Sequence, residues 1–585
     1  STVIAALEFE QKLDFLTKGL RFKALGTFKN WSKSVNKYSA EWNKYLLGSY
    51  EQNEDGSYSY TTNRVGNEVS TDLNNTIETA GDRRIYLEAM VDYNRTFGKH
   101  DVNAMLLYNQ DELVNNVPSG DTGSQRLISS LPKRKQGLAG RLSYAYDGKY
   151  MAEVNMGYNG SENFAKGHRW GFFPSIALGY NISEESFFEP LRKVVTSMKL
   201  RGSWGLVGND QIGGERFIYM PTINLSGMGF TTGIDQNYGL SGPVYTRYEN
   251  TNITWEVGEK INLGVDLQLL NSLNIVVDIF RETRRDIFQK KGTIPTYLGT
   301  GTTDVFGNLA EMKNQGLDFS IDYNKAFSKD FYMNFKGTFT YAHNEITKYD
   351  EAPKYAFQSK VGQSANVNQG YLSNGLFLDE AEIDRYNQQM GSTLGAGDIK
   401  YLNVSNMHGY GDDIVDVDDW TWIGNPTVPE IVYGFGPSFK YKNWDFSFFF
   451  QGVAKTSLFM SGFHPFGDNS LRNVLQFVAD DRWSPTNQNV DAKYPRLTRK
   501  TSLNNTNPGN SGRTSDYWMR DGSFLKLKNM EIGYTFKRMR FYVSGSNLLT
   551  FSKFDLWDPE QGGGSGLKYP TQRVFNVGFQ MTFNN

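Results

Sequence analysis

Hydrophobic and polar residues alternate along this chain with a period of two. Ile261, Leu263, Val265, Leu267 and Leu269 stand against Asn262, Gly264, Asp266 and Gln268. Past a turn at Asn271 and Ser272, Leu273, Ile275, Val277 and Ile279 continue the pattern, with Asn274 and Asp278 on the other side. Phe331, Met333, Phe335, Phe339 and Tyr341 oppose Asn334, Lys336, Thr338 and Thr340. At the C-terminus Phe575, Val577, Phe579, Met581 and Phe583 oppose Asn576, Gly578, Gln580 and Thr582. A strand sends successive side chains to opposite faces, so each stretch predicts a strand of about ten residues with one greasy and one polar face. Short polar turns are predicted at 97–100, 146–149, 327–330 and 440–444. Long irregular stretches are predicted at 33–81, 208–250, 347–429 and 462–521, and a short helix at 379–389 (DEAEIDRYNQQ).

Strands of about ten residues cross a bilayer at a tilt. Lys and Asp in mid-strand require that one face meets water or polar groups. Short turns at one end of the strands and long loops at the other are the asymmetry of an outer-membrane barrel. A soluble domain ending on so aromatic an edge would recruit other chains, whereas a barrel closes that edge. The pattern therefore predicts an all-β fold, a transmembrane antiparallel β-barrel of about sixteen strands in this chain with long extracellular loops. No fixed repeat period is visible, which weighs against a propeller or solenoid. A soluble β-sandwich or binding module is the remaining alternative.

Composition narrows this further. No run approaches the 18 apolar residues of a membrane helix; the densest patch, Phe446 to Phe450, is strand-sized. Mean hydropathy is −0.53, a value that a barrel also produces because alternate residues face its lumen. The 34 Tyr, 40 Phe and 59 Gly suit aromatic girdles and tight turns. A net charge of −2 leaves no footprint for nucleic acid. The absence of cysteine excludes disulfides, thiolate metal sites and cysteine nucleophiles. Five histidines, His100, His168, His343, His408 and His464, fall in no metal-ligand spacing, and no catalytic motif stands out. The reading is of a protein that is not an enzyme and needs no cofactor. Ser1 to Leu7 already reads as a strand and no signal peptide is recognised.

The sharpest local chemistry is the acidic loop 411–422. Asp412, Asp416 and Asp418 are candidate ligands for a hard cation, against the plainer reading of a solvated acidic loop. Trp420 and Trp422 sit among these carboxylates, an arrangement that suits sugar rings with their apolar faces and polar rims. The plainer alternative is that a tryptophan anchors the loop or joins an interfacial belt. Tyr371 and Phe377, in the same long loop, are candidate ligand-binding residues lining an extracellular vestibule.

Several segments, in order over nearly the whole chain, resemble the SusC/RagA family of TonB-dependent outer-membrane transporters. They are LPKRKQGLAGRLSY from Leu131, DGKY from Asp147, GYNGSENF from Gly157, GFFPS from Gly171 and LRGSWGLVGN from Leu200. IGNP from Ile423, DRWSP from Asp481, DGSFLKLKN from Asp521 and YPTQR from Tyr569 follow. The final strand also resembles the C-terminal signal of outer-membrane proteins, with Asn576, Gly578, Met581 and Phe583 in its positions. The resemblance implies a barrel of about 22 strands in the full protein, with residues 1–585 its C-terminal part and the N-terminal plug and first strands absent from this chain. It implies a place in the bacterial outer membrane, a SusD-like surface lipoprotein as lid, energy delivered by TonB through the plug, and a dimer of barrel–lid units. The implied function is active import of oligomeric nutrients, with glycans favoured over oligopeptides by the aromatic, acidic loops. Alternatives are a siderophore or cobalamin receptor, a passive porin or a structural surface β-protein. The family often carries a calcium-like Asp/Asn-Gly-Asp-Gly pattern near the acidic loop. Here Asn406-Met407-His408-Gly409-Tyr410-Gly411 replaces it, so calcium is carried over only as an alternative to no metal.

Overall fold

A computed structural model describes residues 1–70, 72–118, 123–212, 216–227, 229–295, 297, 304–386, 388–389, 394–461, 474–497 and 514–583. Among them seventeen strands belong to one antiparallel sheet, against about sixteen expected. Among the described residues no helix is long and apolar enough to cross a membrane, which says nothing of a β-barrel. The chain divides into two units. The first comprises Ser1–Thr96, Val102–Leu142 and Met156–Phe172, and the second Phe97–Asp101, Ser143–Asn155 and Phe173–Asn585.

In the first unit the strand Leu20–Ser39 lies between Thr2–Lys12 and Asn74–Phe97, with Thr27 opposite both Ala6 and Tyr86. Much of 33–81, expected to be irregular, is therefore strand. The long strands run on to Ser39 and start again at Asn74, and Lys44–Gln52 pairs with Tyr58–Val65 in between. The expectation failed because Lys33, Ser34, Asn36 and Lys37 put polar groups on both faces, leaving no greasy side to read. Backbone hydrogen bonds hold them in the ladder without one.

In the second unit each strand pairs with the next in an up-and-down order: Val195–Asn209, Glu256–Leu269, Leu273–Lys290, Phe306–Ala326 and Phe331–Lys348. Ile431–Tyr441, Trp444–Ala454, Phe524–Phe536, Met539–Ser552 and Val574–Met581 continue the order. The turn before Leu273 places Leu270 and Asn271 at φ of 51° and 53°, the paired left-handed residues of a tight hairpin. Leu263 and Ile279, 62% and 61% exposed, mark the greasy face. The last strand stops at Met581, short of Phe583; Asn584 lies outside the described residues.

The opposite face is polar and its charges are paired. Arg201 stands opposite Gly264, which stands opposite Asp278. Arg201 Nη2 reaches over that glycine to Asp278 at 3.0 Å and also meets Asp266 at 2.8 Å. A Cβ on Gly264 would lie 2.5 Å from the Asp278 carboxylate and 2.8 Å from the guanidinium. Gly533 repeats the device: its added Cβ would come within 2.6 Å of both Arg540 and Asp445, which pair across it. Ion pairs thus tie together strands that are not neighbours.

The long connections carry structure of their own. Within 208–250, Thr222–Asn224 pairs with Val244–Arg247, and Phe230–Thr232 with Tyr238–Leu240. The expected helix at 379–389 is Glu380–Arg385, capped by Asp379, whose side chain accepts from the Glu382 amide at 2.7 Å. It is shorter than expected because Gln388–Gln389 pairs in parallel with Ile414–Val415.

Candidate functional site

The long loops of the second unit pack on one another into a layer with its own core. Tyr371, Leu376, Ile399, Tyr401, Met460, Val478, Trp483 and Trp518 are among its buried residues. Two ion clusters fasten it. Asp398, fully buried, accepts from Arg496 Nη2 at 2.9 Å and from the Gly395 amide at 2.9 Å. Lys526, 1% exposed, donates to Asp558 at 2.6 Å and to Glu560 at 2.8 Å.

This second cluster makes the layer sensitive to acid. Burial alone pushes the Asp558 and Glu560 carboxyls up, but hydrogen bonds from Lys526, and for Glu560 also from Lys528, hold both below their ordinary values. A carboxyl lowered by folding stabilises the fold above its unfolded value, here 3.8 for Asp and 4.5 for Glu, and that stability is lost as pH falls through the folded value. Segment 553–573 is therefore expected to resist protease at neutral pH and to become cleavable below about pH 4. A Lys526→Met variant should lose this pH dependence. Equal protection at pH 7 and pH 3 in the unaltered protein would refute the assignment.

The four aromatic residues expected to meet ligand lie inside this layer or against it. Tyr371 is 3% exposed and Phe377 fully buried. The Tyr371 ring packs against Tyr401 at 5.1 Å and edge-on to Trp420 at 6.0 Å, and Phe377 packs edge-on to Tyr386 at 5.4 Å. Trp422 is half-buried and donates its indole N–H to the Ser359 carbonyl at 2.8 Å. Trp420 is partly buried against the core, and its indole nitrogen has no partner among the described residues. Structurally, these rings hold the loop together.

The three expected cation ligands are also engaged. Asp412 accepts from Ser405 Oγ at 3.1 Å and Asn403 Nδ2 at 3.2 Å. Asp416 caps a short turn by accepting from the Asp418 amide at 2.8 Å, and Asp418 pairs with Lys354. Donors surround these oxygens, and among the described residues no group of three acidic or histidine side chains is placed to hold an ion. The neighbouring Asp419 is the structural carboxylate that sequence reasoning passed over. It is fully buried, accepts from the Ser405 amide at 2.9 Å and the Asp416 amide at 2.8 Å, and is pushed above its ordinary range by burial.

A different aromatic set, half-buried at Tyr355 and Phe357 and exposed at His408 and Tyr410, reaches the surface of this loop. Tyr355 lies 5.5 Å from Phe357 and 4.1 Å from Tyr410, and Phe357 stacks on His408 at 4.6 Å, 13° from parallel. Tyr410 is 50% exposed and His408 is also exposed. Lys354, paired with Asp418, sits over the Tyr355 ring at 5.2 Å. Gly409 and Gly411 take φ of 83° and 68°, and these reversals present Tyr410. The signal was on view: His408 and Tyr410 occupy the segment read only as a departure from an acidic pattern. His464 lies outside the described residues.

Comparison with known proteins fits this architecture. The family model for the TonB dependent receptor-like β-barrel matches residues 8–548. The chain belongs to that family. TonB-dependent receptor P3 of Formosa agariphila is 26% identical over 574 residues, covering 89% of this chain and 54% of the relative. TonB-dependent receptor SusC of Bacteroides thetaiotaomicron is 27% identical over 469 residues, covering 76% of this chain and 43% of the relative. The structure of the RagAB peptide transporter shares the fold at a TM-score of 0.68 and 18% identity, over all of this chain and 62% of that one. The chain spans about half the length of the curated relatives it matches. This chain is therefore a TonB-dependent receptor-like β-barrel protein of the outer membrane, and the relatives named above are TonB-dependent receptors.

Proposed function

We propose that this chain forms the barrel wall of an importer that draws oligomeric nutrients across the outer membrane, glycan oligosaccharides in preference to oligopeptides. The observation that carries the reading is the aromatic group on the long-loop layer, the exposed His408 and Tyr410 packed on the half-buried Phe357 and Tyr355, with Asp418 held nearby by Lys354. Aromatic faces next to hydrogen-bonding carboxylates suit sugar rings. Trp420 and Trp422 act one step back, fastening the loop that presents the stack. A SusD-like surface lipoprotein closes over these loops as a lid, TonB supplies the energy through the plug, and two barrel–lid units pair. The SusC relative and the RagAB fold support that assembly.

The test is uptake of reducing-end-labelled oligosaccharides by cells carrying the full-length transporter or its Tyr355→Ala, Tyr410→Ala double variant. Losing the stack is expected to lower uptake about tenfold, the worth of roughly 1.4 kcal/mol of ring contact. Unchanged glycan uptake in the double variant would sink the reading.

A further inference from the structure

The polar face of the second unit carries a pocket of about 270 Å³ at the long-loop ends of three adjacent strands. Strand register builds its floor. Glu282 of Leu273–Lys290 stands opposite Asn314 of Phe306–Ala326, which stands opposite Asn344 of Phe331–Lys348. Three planar polar side chains thus form one row, and Arg284, Asn366 and Glu430, a carboxylate already paired with His343 and Lys455, complete the polar lining. The remaining wall is apolar, with Met312, Val428 and Pro429. Nothing in the loop layer described above uses this pocket.

We propose that it is a subsite for one uncharged sugar ring of the imported oligosaccharide, an inference that rests on the glycan-import reading. Charge argues first. Arg284 Nη2 already meets Glu282 at 2.9 Å, and Lys260 lies 3.7 Å from the same carboxylate. A charged ligand group would have to break a formed pair, whereas a hydroxyl adds to it. Hydrogen-bond capacity argues next. A carboxamide offers two donors and two acceptor lone pairs, and a hydroxyl both donates and accepts, so the two match whichever way each hydroxyl turns. Asn344 Oδ1 accepts from Ser364 Oγ at 3.1 Å and from the Ala365 amide at 2.9 Å. Those bonds fix its plane and leave its NH₂ to donate into the pocket. The Asn314 and Asn366 side chains make no hydrogen bond among the described residues, so their capacity is unspent.

Shape argues last. The volume falls just under the roughly 300–1,000 Å³ of sites that enclose drug-sized ligands, which suits a single ring whose neighbours continue outside. Met312, Val428 and Pro429 provide an apolar surface for the C–H face of that ring. No aromatic ring lines the pocket. It therefore reads hydroxyl positions, while the aromatic group around Tyr410 supplies adhesion, and the two divide selectivity from capture.

Binding of neutral, reducing-end-labelled oligosaccharides derived from dextran, mannan and xylan to the full-length transporter tests this. The variants are Asn314→Leu and Asn366→Leu, with Asn274→Ala as control. Asn274 lies on the same strand as Glu282, about 26 Å away. Folding is verified by heat-modifiable mobility on gels. Each pocket variant is expected to weaken binding of at least one sugar series about tenfold, the worth of one lost hydrogen bond to a group left buried, while Asn274→Ala binds as the unaltered protein does. Wild-type binding of every series by both pocket variants would overturn the subsite and leave glycan import standing. Failure of the unaltered protein to bind any of the three series would overturn the glycan reading and the subsite with it.

Discussion

An Arg496→Ala transporter is expected to assemble with its strands intact and its loop layer locally open. Asp398 is fully buried and takes two hydrogen bonds from Arg496, so removing the guanidinium strands a carboxylate away from water. Breaking one side of a buried pair costs about 3–5 kcal/mol, most of it the penalty on the charge left behind. Arg496 is itself 28% exposed, so water can reach part of the gap and the lower end of that range applies. The damage spreads through the backbone: the Arg496 amide donates to the Gly397 carbonyl, and the Gly397 amide donates to Phe377. Hydrogen exchange over 395–401 and limited proteolysis of the folded protein would register the opening. The double variant Asp398→Asn, Arg496→Met should recover most of the loss, because no charge is then buried alone. Wild-type protection in the single variant would remove the pair from the account of loop order.

Trp518→Ala should be comparably severe for a different reason. The indole is fully buried and meets Tyr517 edge-on at 5.2 Å and Tyr494 at 6.5 Å. Its carbonyl accepts from the Met460 amide at 3.0 Å, joining two loop segments at one point. Truncating a buried tryptophan removes apolar contact and leaves a cavity, a loss of about 3–5 kcal/mol. The expected result is a lower temperature for loop exchange with no change in heat-modifiable mobility, since the strand ladder does not pass through Trp518. Simultaneous loss of both would mean that loop layer and sheet unfold as one unit.

The sheet was legible because period-two alternation is a local signal. Ile261 to Leu269, Leu273 to Ile279 and Phe331 to Tyr341 all lie in paired strands as expected. It failed where polarity occurs on both faces, as at Lys33, Ser34, Asn36 and Lys37, because nothing in the residues there distinguishes strand from loop. The site was legible to the level of its loop and no further. Composition singled out the acidic aromatic segment, but which rings face outward depends on packing against residues far along the chain, as where Tyr371 bonds to Thr514 and Asp516. Tyr371 and Phe377 are buried by partners such as Tyr401 and Tyr386, while Tyr410 is presented by two glycines. Asp419 was missed because a buried carboxylate and a solvated one look alike in a run of aspartates.

The ion pairs that reach over Gly264 and Gly533 have a consequence for how the sheet finds its alignment. A slip of one residue turns every side chain to the wrong face and is punished by the greasy surface. A slip of two residues restores both the faces and the backbone ladder, so neither hydrophobicity nor hydrogen bonding rejects it. Arg201 and Asp278 do reject it, because they meet only when the strand between them offers a residue without a side chain. The bridged glycine thus marks one register among the even-numbered slips that the rest of the pattern would accept.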